Sequence, residues 1–204
     1  KDVGYGFPAY IFDKLDGSNL RFEWDRKKGW YKFGTRNRMF DGTDPVYAPA
    51  IPLFMANLSE PLTKMARDHS ADNKWHKIVV FCEFWGANSF AGLHDPADRK
   101  FLSLFDISIY KRGLLPPSEF LKLTDKYLPD RTNHQAAEYL GTMNWTQGLR
   151  NMIYTDGLIG VTFEGVIGKH DEGNSIHMVK AKTKKWIDKV KEKYGNNADE
   201  ILNS

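Results

Sequence analysis

The order of hydrophobic and polar residues along the chain predicts a protein of many strands and a few helices. Runs that are apolar, or that alternate with a period of two, and that are rich in Phe, Tyr, Ile and Val are typical of β-strands. They predict strands at 9–12, 19–24, 30–33, 78–84, 101–110 and 158–167. Apolar residues at helical spacing predict helices at 51–69, 118–127, 132–140 and 184–194.

Strands and helices do not alternate regularly in this pattern, which argues against a doubly wound parallel sheet. We therefore expect an α+β fold built on antiparallel sheets flanked by helices. The 204 residues are 41% hydrophobic, enough for one well-packed domain over 1–204. The helix at 184–194 would close that domain, because one of its faces is apolar and the other is charged.

Charge and cysteine content change this picture little. The net charge of +3, from 29 Lys and Arg against 26 Asp and Glu, does not by itself mark a nucleic-acid binder. The single Cys82 lies in an apolar run and excludes an internal disulfide, which favours a reducing compartment. No apolar run reaches the roughly 20 residues that span a bilayer. We expect a cytoplasmic protein, a monomer, without membrane contact.

Candidate chemistry begins at Lys14, which ends an apolar strand and is followed by Leu15-Asp16-Gly17. A hairpin with an Asp-Gly turn and a surface lysine would explain this segment equally well. A Lys-x-Asp-Gly string also arises by chance in roughly a few per cent of chains of this size. The segment therefore needs support from the rest of the chain.

That support comes from five further short motifs that follow in order. They are Thr35-Arg36, Glu83 within Phe-Cys-Glu-Phe-Trp-Gly, Phe105-Asp106, Glu164-Gly165-Val166-Ile167, and Val179-Lys180-Ala181-Lys182. Together with Lys14, this series resembles the motifs of the covalent nucleotidyltransferases, namely ATP-dependent DNA and RNA ligases and mRNA capping enzymes. The resemblance implies an ATP-grasp-like nucleotidyltransferase domain with the nucleotide site between its sheets.

The resemblance also implies a role for each matching residue. Lys14 would form lysyl-AMP, and Asp16 would help to orient the site. The remaining roles are ribose binding for Glu83, adenine stacking for Phe105, sugar or phosphate contacts for Asn19 and Arg36, a nucleotide contact for Asp13, a divalent metal for Glu164, and the α-phosphate for Lys180 and Lys182.

The chemistry of these residues agrees with such roles. An amine attacks phosphorus only when it is unprotonated, so a lysine with an ordinary pKa near 10.4 needs nearby cations or desolvation. Lys180 and Lys182, which share a face of an extended segment, and a bound Mg²⁺ or Mn²⁺ would supply those cations. Carboxylates such as Glu83 and Glu164 are costly in apolar strands unless they are paired or functional.

Alternatives remain for single residues: Phe105 as a core aromatic, and Lys180 with Lys182 on a solvated edge strand.

Asn19 favours RNA ligases related to phage T4 RNA ligase 2, since DNA ligases and capping enzymes usually carry Arg there. The Lys-x-Asp-Gly form with Asp16 favours a compact DNA ligase. The 22 residues after Lys182 (204 minus 182) are too few for an OB-fold domain in this chain.

The leading hypothesis is an ATP-dependent RNA ligase catalytic domain that joins 5′-phosphate and 3′-hydroxyl ends, as in nucleic acid repair. It would act through lysyl-AMP and an adenylylated polynucleotide, with ATP and Mg²⁺ or Mn²⁺ as cofactors and RNA or DNA ends or nicks as partners. The alternatives are the DNA ligase, a GTP-dependent capping guanylyltransferase, and a nucleic-acid-binding module without catalysis.

Overall fold

The computed structural model describes residues 6–130 and 132–203. The chain divides into two compact units. The first unit combines the residues up to Asp16 with those from Ala137 onwards, and the second unit is Gly17–Ala136.

The first unit is built on a four-stranded antiparallel sheet with the strand order β10-β9-β1-β8. Its strands are β1 (Phe7–Lys14), β8 (Tyr139–Trp145), β9 (Gly165–Asp171) and β10 (Ile176–Lys182). Its helices are α4 (Gln147–Tyr154), α5 (Lys184–Tyr194) and α6 (Ala198–Leu202), with a 3₁₀ turn at Gly195–Asn197. Thr146 and Thr183 cap α4 and α5 by accepting a backbone N–H of the first turn.

The second unit contains a six-stranded antiparallel sheet with the order β4-β3-β2-β5-β6-β7. Its strands are β2 (Ser18–Asp25), β3 (Gly29–Thr35), β4 (Met39–Phe40), β5 (Lys77–Gly86), β6 (Lys100–Ile109) and β7 (Gly113–Leu114). Its helices are α1 (Ala50–Asn57), α2 (Ser59–Asp68) and α3 (Pro117–Tyr127), with a 3₁₀ turn at Asn73–His76.

Each sheet buries one face by alternation of its side chains. In the first unit, Ile11 and Val166 pack against Leu149 and Ile153 of α4. In the second unit, the alternate residues of β2 and β5 are buried, and the ring of Phe22 stacks on Phe54 of α1 at 4.0 Å. The opposite face of each sheet is less buried and carries charged side chains such as Lys14 and Glu83.

The α+β prediction and the antiparallel sheets are confirmed. The strands expected at 9–12, 19–24, 30–33, 78–84 and 101–110 lie within or largely within β1, β2, β3, β5 and β6. The helices expected at 118–127 and 184–194 match α3 and α5. The helix expected at 51–69 is two helices, which meet at Leu58, and the second helix has Pro61 in its first turn, where a missing N–H is tolerated.

Two predicted elements are wrong. The segment 132–140 is not a helix, because Leu104 of β6 donates its N–H to Gln135 O at 2.9 Å and the segment then continues into β8. The strand expected at 158–167 begins only at Gly165, and the N–H of the preceding Thr162 is donated to the Asp13 side chain rather than to a neighbouring strand. β8 and α4 were not predicted. Among the described residues, no helix combines the length and the apolar character that crossing a bilayer requires.

Candidate active site

A row of three residues across the first sheet contains Lys14. Lys14 is the last residue of β1 and lies opposite Gly165, the first residue of β9. Gly165 in turn lies opposite Lys182, the last residue of β10. Directly opposed residues of a sheet project from the same face. The two lysines therefore flank a position that has no side chain.

Only glycine fits at this middle position. Gly165 has φ of 149°, a conformation that L side chains rarely adopt. A Cβ built there would lie 2.0 Å from the carbonyl oxygen of Ala181 and 2.8 Å from the Cα of Lys182. The close approach of β9 to β10 at the end of the sheet therefore depends on Gly165.

Glu164 precedes Gly165 and places its carboxylate between the two amines. Its oxygens lie 2.7 Å from Lys14 Nζ and 3.6 Å from Lys182 Nζ. The Glu164 side chain is only 5% exposed, against 18% for Lys14 and 10% for Lys182. The three charged groups therefore form one largely buried cluster.

Burial and mutual charge act in opposite directions in this cluster. Burial raises the pKa of the Glu164 carboxyl, and the Lys14 ammonium opposes that shift. Burial lowers the pKa of Lys182; Glu164 opposes this shift, whereas Lys14 and Lys180 add to it. Burial, and to a smaller extent the neighbouring cations, therefore lower the pKa of Lys182.

Trp186 of α5 fixes two members of the site, and the sequence patterns had assigned it only to an apolar helix face. Its indole Nε1 donates a hydrogen bond to Asp16 at 2.7 Å, and Lys182 Nζ lies 4.3 Å from the centre of its ring. Lys182 Nζ also donates to the carbonyl oxygens of Ile201 and Leu202 at 3.3 and 3.1 Å. Thus α5 and α6 hold the lysine that ends β10.

Lys180 and Asp13 lie outside the cluster of Lys14, Glu164 and Lys182. Lys180 lies two residues before Lys182 on the edge strand β10, shares its face, and is exposed. Asp13 is buried, and its carboxylate accepts from the N–H and the hydroxyl of Thr162 at 3.0 and 2.8 Å. Alternation along β1 puts Asp13 on the face opposite Lys14. The nucleotide contact expected of Asp13 stays a prediction, and the structure gives its carboxylate a contact with Thr162.

The remaining predicted residues lie in the second unit. Asn19 of β2 is directly opposite Glu83 of β5, and Glu83 is opposite Ser103 of β6. Thr35 pairs with Leu20, so Arg36 follows β3 in an exposed turn at the end of the sheet where Asn19 lies. The sheet therefore brings Asn19, Glu83 and the start of the Arg36 turn to one end.

Phe105 occupies a β-bulge. Cys82 pairs with Leu104 and Phe81 pairs with Asp106, so that Phe105 is the additional residue of β6. A bulge re-aims the side chain of its extra residue. Phe105 is half-buried, with its ring 6.4 Å from that of Phe81, rather than being a fully buried core residue.

The Asp-Gly segment after Lys14 is not a hairpin turn. β1 belongs to the four-stranded sheet and β2 to the six-stranded sheet, so the segment joins two sheets. A Cβ on Gly17 would lie 2.2 Å from the carbonyl oxygen of Phe84. The glycine of Lys-x-Asp-Gly is therefore required by a close backbone approach within the second unit.

The cluster of Lys14, Glu164 and Lys182 offers a metal ion a single carboxylate, that of Glu164. Within residues 6–130 and 132–203, no three His, Cys, Asp or Glu side chains are grouped as a protein-built metal site would need. Mg²⁺ is commonly held by one or two carboxylates together with substrate phosphates. Glu164 fits that mode of binding.

Solved structures match the chain over most of its length. A Naegleria gruberi RNA ligase, in a lysine mutant with ATP and Mn, superposes with a TM-score of 0.62 and 18% identity over 91% of this chain. The same ligase with pyrophosphate gives 0.62 and 18% over 92%. An archaeal ATP-dependent RNA ligase gives 0.61 and 17% over 90%. The chain has the fold of an RNA ligase nucleotidyltransferase domain.

The match covers only part of each solved protein. This chain covers 52% and 53% of the two Naegleria structures and 45% of the archaeal one, so it spans about half the length of the proteins it matches. No protein-family model matches the chain, and no curated protein matches it in sequence. The comparisons therefore show the fold, and the reaction must be argued from the residues.

Proposed function

We propose that this chain is the catalytic domain of an ATP-dependent RNA ligase, with Lys14 as its nucleophile. The observation that carries the proposal is the row Lys14–Gly165–Lys182, with the Glu164 carboxylate 2.7 and 3.6 Å from the two amines. The fold, shared with RNA ligases that have been solved with ATP, AMP and pyrophosphate, supports the same reading.

The proposed reaction has three steps. Lys14 Nζ, after losing a proton, attacks the α-phosphorus of ATP; an N–P bond forms and the bond to pyrophosphate breaks. The AMP then passes to a 5′-phosphate, forming a phosphoanhydride and restoring the lysine. A 3′-hydroxyl finally attacks the 5′-phosphate, so that a phosphodiester forms and AMP leaves.

The cluster around Lys14 suits the first step. Glu164 lies in hydrogen-bond contact with Lys14 Nζ and holds the amine in place before ATP arrives. Lys182 and Lys180 share one face of β10 and would neutralise the charge that develops on the α-phosphate, which is the main task in phosphoryl transfer. Asp16, fixed by Trp186, would orient the chain at Lys14.

The second unit would bind the nucleoside. Glu83 would accept the ribose hydroxyls, Phe105 on its bulge would stack on adenine, and Asn19 and Arg36 would contact sugar or phosphate. Asn19 is also the residue that favours RNA ligases of the phage T4 RNA ligase 2 type over DNA ligases. When bound, Mg²⁺ or Mn²⁺ at Glu164 would supply Lewis-acid neutralisation of phosphate charge.

Labelled nucleotides test this proposal. We expect a covalent label from α-labelled ATP and Mg²⁺, little from GTP, and transfer of the label to 5′-phosphorylated RNA in preference to DNA of the same sequence. Lys14→Arg keeps a cation beside Glu164 but lacks the amine, and should abolish the label. A label from GTP alone would favour a capping guanylyltransferase, and transfer only to nicked DNA would favour a DNA ligase.

A further inference from the structure

The second unit contains a cavity of about 490 Å³ that the proposed reaction leaves unused. Leu53 and Pro49 of the α1 region form an apolar side, and Phe101 and Leu102 at the start of β6 form another. Arg99 and Lys100 also line it. Its volume and its mixture of apolar walls with a few polar groups are typical of a small-molecule or nucleobase site.

One wall of this cavity continues into a stack of planar groups. The guanidinium of Arg99 lies 5.1 Å from the ring centre of Phe101, and the Phe101 ring is stacked on Trp85 with 4.8 Å between centres and 28° between planes. His134 packs edge-on against both rings at 5.3 and 5.0 Å. Arg99 is exposed, so its planar guanidinium is accessible to a ligand beside the rings.

Hydrogen bonds hold this stack in place. Trp85 Nε1 donates to the hydroxyl of Ser103 at 2.9 Å, and that hydroxyl donates to the carbonyl oxygen of His134 at 2.6 Å. Trp85 and Phe101 are also directly opposed in the β5–β6 ladder. The platform is therefore preorganised, and a stacking partner would not have to order it.

Polar groups at the cavity suit the edges of a base and a phosphate. The side-chain amide nitrogen of Asn57 donates to Leu53 O at 3.0 Å, and that of Asn133 donates to the Asp130 carboxylate at 2.6 Å. The side-chain oxygens of both residues can therefore accept hydrogen bonds from a ligand in the cavity. Arg99 and Lys100 outweigh Asp98 in charge, while burial lowers the pKa of His94 to about 4 and keeps it neutral. The cavity is therefore weakly cationic at neutral pH.

We propose that this cavity and the Arg99–Phe101–Trp85 stack bind an unstacked base of single-stranded RNA. The inference rests on the proposed function for the identity of the polynucleotide. Sequence-tolerant RNA binding uses bases stacked on aromatic rings or Arg planes, beside cations that track the backbone. Phe101 lies four residues before Phe105 on β6, about 13 Å along the strand. The RNA base is thus distinct from the adenine assigned to Phe105.

Arg99→Lys tests the proposal without disturbing the core, because Arg99 is exposed. Lysine keeps the positive charge of Arg99 but lacks its planar guanidinium. The variant therefore distinguishes a stacking role of Arg99 from a purely ionic role. The probe is a 5′-phosphorylated single-stranded RNA with 2-aminopurine at one position at a time, titrated without ATP. We expect quenching at one position of the wild-type complex. We expect Arg99→Lys to lose most of that quenching and about fivefold in affinity, with an unchanged salt dependence.

Phe101→Leu provides the second variant, with an expected loss of affinity of about 5- to 150-fold from one base stack. Phe101→Tyr keeps an aromatic ring and should bind RNA as the wild type does. Arg26→Lys, on an exposed turn of the same unit, is the matched control for Arg99→Lys. Labelling of Lys14 by ATP should stay within about twofold of wild type in these variants. Because binding is measured without ATP, a failure of labelling overturns the proposed function alone.

Two results would overturn the cavity proposal. One is unchanged affinity and quenching in both Arg99→Lys and Phe101→Leu while Lys14 is still labelled. The other is full displacement of the quenched base by free ATP or AMP, which would assign the cavity to a mononucleotide.

Discussion

Replacing Gly165 by alanine should damage both the stability of the first unit and the chemistry of Lys14. Two terms contribute to the loss of stability. A non-glycine residue at φ of 149° is strained by about 1–3 kcal/mol. The new Cβ would also lie 2.0 Å from Ala181 O, so the strands must separate by at least 1.0 Å (3.0 minus 2.0) to reach a permitted contact. With about 1 kcal/mol for each of two weakened ladder hydrogen bonds beside Gly165, the total is about 3–5 kcal/mol.

Gly173→Ala is the matched control for the backbone strain alone. Gly173 also has a positive φ, 82°, but a Cβ there would meet nothing within 4 Å. We expect a loss of about 1–2 kcal/mol for this variant, measured by urea unfolding followed by tryptophan fluorescence.

The chemical consequence of Gly165→Ala should exceed the loss of folded protein. A displacement of about 1 Å at a reacting group can lower a rate about 100-fold. Labelling by ATP, corrected for the folded fraction, should fall by that order in Gly165→Ala and stay near wild type in Gly173→Ala. Equal stability and equal labelling of the two variants would refute the argument that Gly165 sets the spacing of Lys14 and Lys182.

Two further predictions address the contact between Thr162 and Asp13 and the burial of His94. Thr162→Val removes the hydroxyl that donates to buried Asp13 at 2.8 Å, and we expect a loss of about 1–3 kcal/mol in urea unfolding with labelling of the folded fraction unchanged. A selective loss of labelling would contradict this expectation and support a nucleotide contact for Asp13. Burial lowers the pKa of His94 from 6.5 to about 4. The contribution of neutral His94 to the free energy of unfolding is therefore complete above pH 6.5 and is lost as the pH falls through 4. His94→Gln should remove this pH dependence, and parallel plots of unfolding free energy against pH for the two proteins would contradict the prediction.

The shared face of the two lysines of β10 followed from alternation. A period of two along β10 already put Lys180 and Lys182 on one face, and the structure has them there. The same rule applied to β1 would have separated Asp13 from Lys14, since neighbouring residues of a strand face opposite ways. Alternation alone therefore places the side chain of Asp13 on the face opposite that of Lys14.

The positions of Gly165 and Phe105 depend on strand register, which the sequence does not reveal. Gly165 lies between two lysines only because β1, β9 and β10 pair as they do, and those pairings join residues more than 100 positions apart in the case of β1. Phe105 is re-aimed by a bulge that depends on how β6 pairs with β5. Long-range pairing also overrode the helical spacing at 132–140.

The central claim, that Lys14 takes AMP, is tested most directly by mass spectrometry after incubation with ATP and Mg²⁺. We predict that the intact protein gains the mass of one AMP and that peptide mapping finds it on Lys14. Lys14→Arg should gain none, while Lys27→Met, a change at an exposed turn, should behave as wild type. Wild-type protein without an adduct, or with an adduct on another residue, would contradict the account.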